Sequence, residues 1–195
     1  ELELDAVSEV PRYYVCNAYG VCGIYNAPGT AVKEAYDTSG IVTNDRGVTV
    51  WLKGNRVSRN QIMAIKEESV TEQKNSLAVC LDNILRHAGI TRNTEYDLAQ
   101  GKTATTILSE NMTGVQVLDL SGCTLDAVLY YVNQDIPVLA ILDDGEAVLV
   151  TGFNEFNVVI MEPSTGKLYK KGMNDATAWF AENGNHFITY MRTEN

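Results

Sequence analysis

Two histidines, four cysteines and a scatter of carboxylates are the residues of this chain equipped for covalent or acid–base chemistry. A thiol becomes a nucleophile when an imidazole or a helix N-terminus lowers its pKa, so each cysteine is weighed by what can stand beside it. Cys80 and His87 share the run NSLAVCLDNILRHAG, from Asn75 to Gly89. Seven residues on a helix are two turns, about 10 Å, so the pair shares a face but cannot hydrogen-bond. Cys80 also falls in an apolar stripe of Leu77, Val79, Cys80, Ile84, Leu85 and Ala88, the setting of a reduced core cysteine. Cys123 opens another helical stretch, where the dipole favours a thiolate, with no histidine assigned near it. His186, in GNHFITY, reads as a surface residue at a strand edge.

Cys16 and Cys22 differ from the other two. They lie in YYVCNAYGVCGIY, two strand-like runs joined at Ala18-Tyr19-Gly20, so a hairpin sets them opposite one another. They form either a cross-strand disulfide in an oxidising compartment or a pair of reduced apolar residues, and the sequence leaves both open. Metal and cofactor chemistry have no foothold, because the histidines lie far apart and no Cys-x-x-Cys occurs. Gly101-Lys102-Thr103 hints at a phosphate loop, but that motif needs a second glycine where Tyr96 stands. No cofactor is expected.

The elements that must hold these residues follow from periodicity. Tyr13 to Cys16, Val21 to Tyr25, a short helix from Thr30 as cap to Gly40, and strands around Val48 to Leu52 and Gln61 to Ile65 predict a β-β-α-β-β module. Alternation in the fourth run puts Val48, Val50 and Leu52 inside and leaves Trp51, with Tyr19, as an exposed aromatic. The polar stretch KEESVTEQK, residues 66–74, is the natural boundary. Beyond it, Asn75 and Ser76 supply caps and Gly89 a stop for an amphipathic helix. Short helices over 94–100 and 103–112 follow, then a strand from Val115 and a helix through Val132. PVLAIL, AVLVTGF and VVIM form an antiparallel series, and a helix over 174–183 and a strand over 187–191 close the chain. This predicts an α+β protein, with an arm over residues 1–11, a small module over 12–68 and a larger domain over 69–195.

Composition excludes several function classes. With 25 acidic against 15 basic residues the net charge is −10, and no Lys/Arg stripe exists to meet a phosphate backbone, so nucleic acid is not an expected partner. No run of eighteen apolar residues occurs, so no membrane span is expected. The acidic opening ELELDAVSEV, without an initiator methionine, reads as a fragment of a longer protein.

The ordered set SLAVCLDNILRHAG, PVLAILDDGEAVLVTGF and VVIMEPSTG resembles papain-like cysteine peptidases of the double-glycine, bacteriocin-leader-processing type, over residues 70–190. The resemblance implies a papain-like fold with helices packed on an antiparallel sheet. It also implies a cysteine at the head of the first helix, thirteen residues before its terminal glycine, and Ser76 stands there. The family's histidine maps to Glu146, its Asp to Glu162, and its oxyanion-stabilising glutamine to Gln73. Serine needs a base to become a nucleophile, and an ordinary glutamate is too weak for that at neutral pH. Ser76 is therefore read as a helix cap and Glu146 as a solvated turn residue. The expectation is a catalytically inactive, peptidase-like domain of a bacterial surface or secreted protein that binds a peptide or protein segment. The alternatives are an active cysteine peptidase or transpeptidase using Cys80 or Cys123 with His186, and a structural spacer or adhesion segment.

Overall fold

The computed structural model describes residues 10–53, 61–62 and 75–193. In the first sheet, β1 (Tyr13–Cys16) and β2 (Cys22–Tyr25) make a hairpin and α1 (Pro28–Thr38) follows. β3 (Ile41–Asn44) and β4 (Thr49–Leu52) then complete an antiparallel sheet in the order β2-β1-β3-β4. Cys16 and Cys22 are register partners across the hairpin and are disulfide-bonded. Thr30 is not the cap of α1. The helix starts earlier, at Pro28, whose fixed φ and missing N–H suit a first turn, with Ala27 at the N-cap position. Gly29 is required there, because a Cβ would stand 2.9 Å from the Ser121 carbonyl oxygen.

The second sheet follows a two-residue strand, β5 (Gln61–Ile62), and three helices, α2 (Ser76–His87), α3 (Glu95–Ala99) and α4 (Ala104–Asn111). Its main strands are β6 (Val115–Asp119), β7 (Val138–Ile141), β8 (Ala147–Phe153), β9 (Asn157–Glu162), β10 (Lys167–Gly172) and β11 (His186–Arg192). Helices α5 (Leu125–Val132) and α6 (Met173–Glu182) are interleaved with them. The antiparallel order is β10-β9-β8-β7-β11-β6. β5 belongs to this sheet rather than to the small one: Gln61 and Ile62 pair with Phe153 and Gly152, on the stretch of β8 beyond the end of its β7 ladder at Val150. A strand of two residues carries too little pattern to announce its partner. The expected boundary over 66–74 lies outside the described residues. Among the described residues no helix is long and apolar enough to cross a membrane.

β8 is buried at every position, as a strand with helices on both faces must be. α2 and α5 both pack on it. α2 buries Ala78, Val79, Cys80, Leu81, Ile84 and Leu85. It ends in a Schellman motif, with Gly89 at φ +84° and the Ile90 N–H donating to the Leu85 carbonyl (2.8 Å). α5 ends the same way on a non-glycine: Asp135 sits at φ +64°, and the Ile136 N–H donates to the Tyr131 carbonyl (3.0 Å).

Trp51 is a buried anchor, contrary to the exposed position its alternation suggests. It is 2% exposed, and its indole N–H donates to the Ala127 carbonyl on α5 (3.0 Å). The Tyr131 hydroxyl returns the contact, donating to the Val50 carbonyl (2.8 Å). The two sheets thus meet through α5, and apolar residues of both belong to one core cluster.

Candidate functional site

The head of α2 is where a resemblance-based site should lie. Asn75, not Ser76, is the N-cap: its side-chain oxygen accepts from the N–H groups of Leu77 (2.9 Å) and Ala78 (3.4 Å). Ser76 is the first helical residue and is therefore free to do something else. Its Oγ accepts a hydrogen bond from the backbone N–H of Ala147 (2.9 Å), the first residue of β8. The β8–β9 pairing begins two residues further on, at Leu149↔Met161, so the hydroxyl serves an N–H that the ladder leaves over.

Glu146 immediately precedes Ala147, in the tight turn between β7 and β8. The Leu142 N–H donates to its carbonyl (2.7 Å), Gly145 at φ +83° makes the bend, and the residue is exposed. Glu162 ends β9 at the same end of the sheet, directly after Met161. Its carboxylate accepts from the N–H and hydroxyl groups of both Ser164 and Thr165. Partial burial works to raise its pKa, and these bonds outweigh that and hold it below the usual value. Ser76, Glu146 and Glu162 are thus gathered at one edge of the fold. Gln73 lies outside the described residues.

The thiols are placed otherwise. Cys80, one turn into α2, is fully buried, and its pKa is driven far up by burial, then by the charges of Glu162 and Glu146. Cys123 is also buried, donates to the Gly29 carbonyl (3.3 Å), and is pushed up to about 12, chiefly by burial. A thiol in either position is protonated at neutral pH. Neither is hydrogen-bonded to an imidazole among the described residues. The His87 ring is engaged with Asp135, at the opposite end of α2 from Ser76. His186 starts β11 and pairs with Ile141, which pairs in turn with Ala147, so it lies two strands from the Ser76 partner, roughly 10 Å along the sheet. No group of three or more His, Cys, Asp or Glu is placed to hold a metal among the described residues.

Sequence reasoning missed the residues that fasten α2. Asp82 accepts from both the N–H (2.8 Å) and the hydroxyl (2.7 Å) of Thr94, and that hydroxyl also lies 3.1 Å from the Ala78 carbonyl. Thr94 is fully buried, so this knot ties the helix to the loop that follows it. An aspartate on the polar side of an amphipathic helix gives no local sign of such a partner.

What this arrangement can do is limited by its acid–base inventory. It offers a hydroxyl committed as an acceptor, two carboxylates and backbone groups, which suit binding better than proton abstraction from serine. No protein-family model matches the chain, and no curated protein does. Among solved structures, a protein from Bacillus anthracis assigned as a C39-like peptidase aligns with a TM-score of 0.59 at 13% identity, covering 70% of this chain and 100% of that one. At that identity the likeness is one of fold: this α+β chain is built like a C39-like peptidase.

Proposed function

We propose that this chain is a catalytically inactive, papain-like peptidase domain that binds a peptide or protein segment at the head of α2. The observation carrying the reading is the bond between Ser76 Oγ and the Ala147 N–H. It ties the position that resembles the family's nucleophile directly to the strand that follows its histidine position, yet the pair there is serine and glutamate. The buried thiols of Cys80 and Cys123 lend support, because neither has the imidazole partner an active alternative would need. A division into an arm over 1–11, a small α+β module over 12–68 and the peptidase-like domain over 69–195 belongs to the same proposal, with β5 reaching out of the module's range to pair with β8 of the larger sheet. So does a location outside the cell or on its surface, for which the Cys16–Cys22 disulfide is the support.

A thiol-directed peptidase probe, applied to the folded protein, tests the loss of activity. No labelling is expected, and specific labelling at Cys80 or Cys123 overturns it. A photo-crosslinking peptide library tests binding. Adducts on the first turn of α2 or the β7–β8 turn are expected, and adducts confined to other surfaces overturn the assignment of binding to the head of α2.

A further inference from the structure

A concavity lies at the end of α2 remote from Ser76. Counting from Ser76 to His87, it is about 17 Å along the helix from the site above. It encloses about 510 Å³, within the range of small-ligand sites, and His87, Ile90, Met112, Val115, Tyr190 and Arg192 are among its lining. Four of these six are apolar or aromatic. The other two are a guanidinium and an imidazole, in a chain whose net charge is −10.

Both basic groups are held from behind. Arg192 spends one N–H on the Gln134 carbonyl (3.3 Å), and His87 Nε2 lies 3.1 Å from the Asp135 carbonyl and 3.5 Å from its carboxylate. Those carbonyls lie just past the end of α5, in the capping turn where Asp135 takes its left-handed conformation. A carbonyl only accepts, so Nε2 carries the proton of this bond and Nδ1 is the ring nitrogen left over. Neither Nδ1 nor the remaining guanidinium N–H groups have a partner among the described residues. The guanidinium is thus oriented and only part-used, the state in which a planar fork meets a carboxylate.

We propose that this pocket binds a carboxylate carried on a short apolar or aromatic chain. The carboxylate meets Arg192 at the rim with His87 beside it, and the chain lies against Ile90, Met112 and Val115. Asp135 works against an anion here, and its carboxylate is engaged at His87 Nε2. Such a group could come from a free acid or from the C-terminal residue of a peptide, and the chemistry is shared. The inference does not depend on the reading of the Ser76 site.

The test is titration of the isotope-labelled whole chain with 3-phenylpropionate, followed by NMR. Saturable shifts of the Ile90, Gly114 and Val115 amides and of the Arg192 side-chain N–H are expected, with no such shifts from 3-phenylpropanol. Arg192→Gln should weaken binding about tenfold to a hundredfold, the range for losing a charge-assisted bond. Asp135→Asn should tighten it, which a merely destabilised fold cannot imitate. A blocked tripeptide ending in a free Phe carboxylate and its C-terminal amide form the second arm. Tighter binding of the acid peptide than of 3-phenylpropionate assigns the source to a peptide terminus, and weaker binding assigns it to a small acid. Equal binding of acid and amide, equal binding of the alcohol, or an unchanged affinity in Arg192→Gln overturns the proposal.

Discussion

Ser76 and Ala147, seventy-one positions apart in sequence, are joined by a 2.9 Å hydrogen bond in which a side chain completes a strand's backbone. Ala147 is 1% exposed, so without that oxygen its N–H has no ready access to water. Ser76→Ala should therefore cost about 1–3 kcal/mol, the penalty for a buried donor left unpaired. Urea unfolding measures it, and a loss below a few tenths would mean that water replaces the hydroxyl.

Introducing thiol chemistry at this position should need two changes. Ser76→Cys alone places a thiol at a helix start, at the edge of the fold that also carries Glu146 and Glu162, whose charges oppose thiolate formation. Adding Glu146→His replaces one of those charges with a base. The rate of alkylation by iodoacetamide at neutral pH should rise about tenfold or more from the single to the double variant. Equal rates would show that residue 146 does not face residue 76.

Thr94→Val removes a fully buried hydroxyl and strips Asp82 of one of its two donors. A loss of about 1–3 kcal/mol is expected. Hydrogen exchange should locate the damage in α2 and the loop to α3, leaving the first sheet protected.

The Cys16–Cys22 bridge closes a short loop, its cysteines six positions apart. Loop-closure entropy for so small a ring amounts to about 2 kcal/mol. The paired substitution Cys16→Ser and Cys22→Ser should lower stability by that order, and dithiothreitol should reproduce the effect on the unsubstituted protein. Agreement between the two treatments is the check.

Glu162 gives the acid limb of stability part of its slope. Its folded-state pKa lies below the usual 4.5 because Ser164 and Thr165 bond the ionised form more than partial burial disfavours it. A depressed carboxylate contributes stability that is complete above its unfolded pKa and lost as pH falls through the folded one. Glu162→Gln should therefore destabilise at pH 7 and flatten the decline below about pH 4.5. Parallel unfolding curves from pH 7 to pH 2.5 for the two proteins would show an identical decline only if those bonds are absent in solution.

Local pattern carried the second sheet well. The runs PVLAIL, AVLVTGF and VVIM became β7, β8 and β9 to within a residue or two, because continuous apolar runs between strong turns leave few alternatives. The stripe from Val79 to Leu85 likewise marked the buried face of α2, though Leu81 joins it and Ala88 is exposed. Long-range matters were illegible. Alternation assigned Trp51 to the surface because nothing near it in sequence announces that α5 will cover it. Asn75 and Ser76 are both good caps, and choosing between them depended on Ala147, a residue no local rule brings near. The pocket at His87 and Arg192 joins the end of one helix to the last strand, so it has no sequence signature.

The Trp51–Ala127 and Tyr131–Val50 bonds have a consequence for how this protein comes apart. α5 is at once a layer of the larger sheet and the wall against which the smaller one closes. Melting either sheet would wet the inner face of the other, so heat should produce one calorimetric peak rather than two. Proteolytic trimming of the first fifty residues would then leave an open wound along α5, and not a self-sufficient remainder.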